Sequence, residues 1–157
     1  MTKKRIAILN TLLTQIEESI PYHEKKNTVV SKSTVGWQLD HALKVINLVT
    51  AVLIKTNPEK YKKGFNLTRT VLFTLCYIPR GQAKAPKVVI PPEQIIKEDL
   101  VSQFQEAKLQ IVKTERLPEA SHFIHHVFGM LSKQQTLRFL EIHTKHHLKI
   151  VNDILNK

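Results

Sequence analysis

The sequence predicts an all-α fold. Apolar residues recur at helical spacing through most of the chain, and period-two alternation is almost absent. The longer periodic segments each carry one apolar stripe, the pattern of a four-helix bundle with a shorter helix packed beside it. With 157 residues, 42% of them hydrophobic, residues 1–157 suit a single domain with one real core.

Ile6, Leu9, Leu13, Ile16 and Ile20 form the stripe of a first helix, which Pro21 ends. A polar loop follows from His23 to Lys32. Ser33 or Thr34 caps a second helix that carries Trp37, His41, Val45, Leu48 and Val52 and runs to the Asn57-Pro58 break. A shorter third helix is expected from Tyr61 to Tyr77, before Pro79. Four prolines and a glycine over 79–92 predict an extended surface loop, with Pro92 as the first-turn proline of a fourth helix reaching Thr114. The stretch LPEASHFIHHVFGML reads as irregular. Ser132 then caps a final helix from Lys133 to Ile154.

Composition narrows the functional classes. The sole cysteine, Cys76, excludes a disulfide framework and points to a reducing compartment. Within VLFTLCYI it has no nearby His or Lys to favour the thiolate and reads as a small hydrophobe. The basic N-terminus is an amphipathic helix rather than a signal peptide, because Asn10, Thr11 and Thr14 interrupt its apolar run. No apolar stretch approaches the about 18 residues of a membrane span, so a soluble, cytoplasmic protein with no membrane partner is expected. The net charge of +11 comes from scattered Lys and Arg without interleaved aromatics. That favours a solvated basic surface that attracts small anions over a nucleic-acid site.

Six of the eight histidines lie between positions 122 and 147. At about 100° per residue, His147 falls about 20° and His143 about 60° from the apolar centre of the last helix, with His146 about 120° away. His143 and His147 therefore face the core one turn apart, as the two histidines of HExxH helices do. Thr144, Lys145 and His146 intervene, so the glutamate base of that motif is missing. His41 is the candidate third ligand, a polar ring where periodicity asks for a hydrophobe. One buried histidine alone is most simply satisfied by a backbone carbonyl. Three core-facing imidazoles on two helices favour a shared metal, because neutral rings clustered together lack donors and acceptors for one another. A ferritin-like site is rejected, since only Glu119 and His122 have its Glu-x-x-His spacing. Asp40 lies about 100° around the helix from His41 and is not expected on the same metal.

Trp37-x-x-x-His41 early and His143-x-x-x-His147 late resemble the DinB/YfiT-like superfamily. The segment HHVFGMLSKQQTLRFLEIHTKHHLKIVNDI is similar to one branch of it, which carries His-Pro-x-Phe-Gly before the last helix and His-x-x-His-His within it. Here the first motif reads His125-His126-Val127-Phe128-Gly129, with histidine in place of proline. The resemblance implies a four-helix bundle with non-sequential helix order, a homodimer, and a divalent metal, zinc or nickel, held by His41, His143 and His147. It also implies a reaction class, because characterised relatives are transferases and isomerases that use a low-molecular-weight thiol such as bacillithiol, mycothiol or glutathione.

Three protein ligands leave a coordination position for a small-molecule ligand, and the activity that the resemblance implies there is a metal-dependent thiol S-transferase. A metal-bound hydroxide performing hydrolysis uses the same ligand set. A non-catalytic metal-binding, stress-related bundle acting through partner contacts is the alternative from another class. His125 either orients a ligand or supports the metal from outside its ligand shell, or it is a loop histidine packed on Phe123 or Phe128.

Overall fold

The computed structural model describes residues 1–80 and 85–156; residues 81–84, within the loop predicted over 79–92, and Lys157 lie outside the described residues. The described residues form five α-helices and one hairpin: α1 (Thr2–Ser19), α2 (Val35–Lys55), α3 (Leu67–Leu75), α4 (Lys97–Lys113), β1 (His122–His125), β2 (Gly129–Ser132) and α5 (Lys133–Asn156). The chain is mostly helical, and the small antiparallel sheet corrects a strictly all-α expectation. Among the described residues no helix is long and apolar enough to cross a membrane.

The four long helices pack in the cyclic order α1-α4-α2-α5, a non-sequential arrangement in which α1 and α2 lie diagonally. Leu9, Leu13 and Ile16 of α1, Leu39, Leu43 and Ile46 of α2, Leu100, Phe104 and Ile111 of α4, and Leu137, Leu140 and Val151 of α5 meet in one core. Burying these side chains supplies most of the stabilisation, at about 25 cal/mol per Å² of apolar surface. The buried face of α2 runs through Leu39, Leu43, Ile46, Val49 and Leu53. Of the predicted stripe, His41 and Val45 are buried and Leu48 packs against the core, whereas Val52 is 39% exposed. A helix embraced by α4, α5 and β1 buries more than one face, so a single stripe could not define it.

Helix boundaries follow cap chemistry. Thr34 is the α2 cap, its hydroxyl accepting the Trp37 N–H at 3.2 Å. Gly36 in the first turn is required by close approach: a Cβ there would sit 2.9 Å from the His23 carbonyl and 3.1 Å from Ile95. That contact draws the segment before α4 across α2. Accordingly α4 begins at Lys97, not at Pro92, after an extended Ile96. The third helix is also shorter than predicted. It begins only after Asn66, whose side chain accepts the Arg69 N–H at 2.8 Å, and it ends at Cys76 in the left-handed conformation, φ 52°. Cys76 is therefore an exposed helix terminus touching the Arg138 guanidinium, not a packed hydrophobe.

The stretch expected to be irregular is the hairpin. His122 pairs with Ser132, Phe123 with Leu131, Ile124 with Met130 and His125 with Gly129. Gly129, at φ 69°, occupies the left-handed region that glycine adopts without strain. Four-residue strands are too short to display a period, which is why the alternation was not visible. The chain passes from β2 into α5 through a reciprocal cap: Ser132 Oγ accepts the Gln135 N–H at 3.4 Å and Gln135 Oε1 accepts the Ser132 N–H at 3.1 Å. At the other edge of α5, the buried Glu141 carboxylate gathers Arg5, Arg138 and Lys145, tying α1 to α5.

Candidate metal centre

His41 comes from α2, and His143 and His147 from successive turns of α5. One ring nitrogen from each lies within 4.8 Å of the others. Ring centroids are 5.2 Å apart for His41–His143, 4.7 Å for His41–His147 and 4.6 Å for His143–His147, and no pair is stacked in parallel. The α2–α5 interface thus brings together all three predicted ligands.

Two rings are held by acceptors on their far sides. His41 Nδ1 lies 2.8 Å from the Val89 carbonyl, which can only accept, so Nδ1 carries the proton and Nε2 keeps its lone pair. His147 Nδ1 donates to Gln38 Oε1 at 2.7 Å, with the same result. Such outward acceptors are what orient histidines around metals and fix their tautomer. The third ring differs: His143 Nδ1 is buried without a hydrogen-bond partner. A buried ring nitrogen without a partner, on an imidazole 5.2 Å and 4.6 Å from two others that keep an Nε2 lone pair, belongs to a donor set that suits a shared metal.

Electrostatics keep the three rings neutral. Burial pushes His41 below the ordinary imidazole value, although its bond to Val89 and the nearby Asp40 charge oppose the shift. Burial, reinforced by neighbouring histidines, pushes His143 and His147 well below it. Neutral imidazole is the form that binds metal. Trp37 stacks on His41 at 5.4 Å and 17°, and Phe139 lies 5.5 Å from His143, so aromatic rings flank the cluster.

The other predicted residues sit outside the cluster. Asp40 turns away to Lys44 at 2.6 Å and to Gln103 of α4 at 2.7 Å. His146 meets His147 edge-on at 5.0 Å and bonds to the Ile78 backbone. His125, at the end of β1, is stacked on Phe128 at 4.4 Å and meets Phe139 edge-on at 4.8 Å. Sequence reasoning did not find the orienting groups. Gln38 stands three residues before His41 and could have been noticed as a polar residue on the same helix face. Val89 carried no signal: it was assigned to a surface loop, yet it is 3% exposed in a short 3-10 turn packed on the core. Family models, curated proteins and solved structures give no match to the chain.

Proposed function

We propose that this chain is a divalent-metal-dependent enzyme of the DinB/YfiT-like superfamily that transfers a low-molecular-weight thiol to an electrophile at a centre formed by His41, His143 and His147. The reading is carried by one observation: three neutral imidazoles from two helices converge, and two of them have their Nδ1 protons committed outward to Val89 and Gln38. The non-sequential helix order supports it as well. A divalent ion at three imidazoles acts as a Lewis acid on a thiol or water that it binds, lowering its pKa toward neutrality.

The chain's own groups prepare that chemistry. Gln38 and Val89 fix ring orientation, Trp37 and Phe139 flank His41 and His143, and the basic surface, net charge +11, favours an anionic thiol. Among the described residues, no carboxylate joins the three-histidine group, which leaves imidazole as the ligand type; that suits zinc, nickel, copper or iron, of which the family resemblance favours zinc or nickel. The same reading includes a homodimer, tested by sedimentation of the metal-loaded protein.

Elemental analysis of untagged protein is the deciding experiment. Near-stoichiometric metal that is lost in His41→Ala, His143→Ala and His147→Ala but retained in His146→Ala is expected. Absence of metal after reconstitution overturns the reading. Given metal, consumption of an electrophile that depends on added thiol supports transfer, whereas turnover without thiol assigns hydrolysis instead.

A further inference from the structure

The three-histidine centre leaves one imidazole of the hairpin without a role. His125 Nδ1 accepts two backbone N–H groups of the turn, from Val127 at 3.1 Å and Phe128 at 3.2 Å. A nitrogen that accepts twice carries no proton, so the proton of the neutral ring resides on Nε2, at the opposite edge. Among the described residues Nε2 has no hydrogen-bond partner.

The ring is fixed on both faces, by Phe128 at 4.4 Å and His126 at 4.5 Å, while Phe139 closes one edge at 4.8 Å. The turn that carries it is itself clamped by α3. Asn66 Nδ2 donates to the Val127 carbonyl at 3.0 Å, and Arg69 donates to the carbonyls of Phe128 at 3.3 Å and Met130 at 3.1 Å. Arg69 is 7% exposed, and among the described residues it has no carboxylate partner. Phe139, the ring against which His125 rests, is also the ring against His143. A rigid imidazole with an uncommitted Nε2–H is thus held one aromatic ring away from His143. The acidic residues nearest the ligands in sequence are already neutralised, Asp40 by Lys44 and Glu141 by Arg5, Arg138 and Lys145.

We infer that His125 is the substrate-positioning donor of the site, its Nε2–H hydrogen-bonding the anionic head of a small molecule, a carboxylate, thiolate or comparable anion, bound at the three-histidine centre. The inference rests on the metal reading above and adds the ligand's charge and its partner. A donor-only edge, an arginine in the turn's clamp whose acceptors are neutral carbonyls, and the pairing of Asp40 and Glu141 with cations together select an anion over a cation.

Azide binding to the cobalt-loaded full-length protein, followed by the visible absorption of the ion, tests it. His125→Asn keeps a side-chain oxygen near the Nδ1 position to accept the turn N–H groups but lacks the distant donor. His125→Gln places an amide N–H near the Nε2 position. The expected result is unchanged cobalt affinity in both variants, azide bound about tenfold or more weakly by His125→Asn, and most of that loss recovered in His125→Gln. Unaltered azide affinity in His125→Asn overturns the inference while leaving the metal centre intact. Loss of cobalt in that variant also overturns it, by making His125 a support of the metal or the fold. If the wild-type protein takes up no cobalt, both readings fall together.

Discussion

Replacing Gln38 with alanine isolates the contribution of an orienting group from that of the ligands. Gln38 is 4% exposed, and among the described residues its Oε1 is the only acceptor that the His147 Nδ1–H has, at 2.7 Å. Its removal leaves a buried N–H unpaired, which costs about 1–3 kcal/mol. It also frees the ring to rotate and to exchange tautomers, so that the lone pair is no longer fixed on Nε2. Loss of such a partner typically weakens metal binding by about 10- to 100-fold, or about 1.4–2.7 kcal/mol. Competition of the apoprotein with a chromophoric chelator for zinc at neutral pH measures this directly. Gln38→Glu, whose carboxylate is a stronger acceptor, is expected to bind at least as tightly as wild type. Thr50→Val, which removes a buried hydroxyl bonded at 2.6 Å to its own helix at Ile46, serves as the control and should leave zinc affinity unchanged. Equal affinity in wild type and Gln38→Ala would refute the claim that the outward hydrogen bond sets the ligand tautomer.

Trp37 is the only tryptophan and stacks on His41, so its fluorescence should be quenched by nickel or copper with one-to-one stoichiometry, and the quenching should vanish in His41→Ala. The stability of the apoprotein should fall with acidification. His41, His143, His146 and His147 have lowered values and His125 is lowered to about 4, so these rings stay neutral in the fold while the unfolded chain takes up protons near its ordinary value of about 6.5. Stability is therefore full above about pH 6.5 and declines as pH drops toward the folded values, by at most about 1.4 kcal/mol per pH unit for each group. Urea melts across that window check this, and a flat profile contradicts the burial of the rings. Arg69→Met should release the hairpin from α3 and lower stability by roughly 2 kcal/mol, because the carbonyls of Gly64, Phe128 and Met130 lose their shared donor. Glu141→Ala should cost about the same in thermal unfolding by leaving Arg5, Arg138 and Lys145 without their shared carboxylate; the partial exposure of those cations holds the loss below the about 3–5 kcal/mol of a fully buried pair.

Helix identity was legible wherever an element buries one face. The stripe of α1 and the wheel of α5 sorted inward from outward residues, and His147, nearer the apolar centre than His143, is also the more buried of the two. Legibility failed where local and tertiary determinants separate. Nothing in residues 61–66 announces that an extended approach precedes the Asn66 cap, and the Pro91-Pro92 pair resembles a helix start until Ile95 is seen lying over Gly36. The hairpin was missed because its strands are four residues each, and because their partners are supplied by one another rather than by a pattern along the chain.

Periodicity within single helices was enough for the helical character, the core faces of α1 and α5, and the three histidines that share the candidate centre, which are polar rings placed at apolar positions. Which nitrogen is free on His41 and on His147 is a matter of tertiary structure. Tautomer depends on a carbonyl 48 residues from His41 and an amide 109 residues from His147, and hydrogen bonds across such separations exist only once the helices have packed.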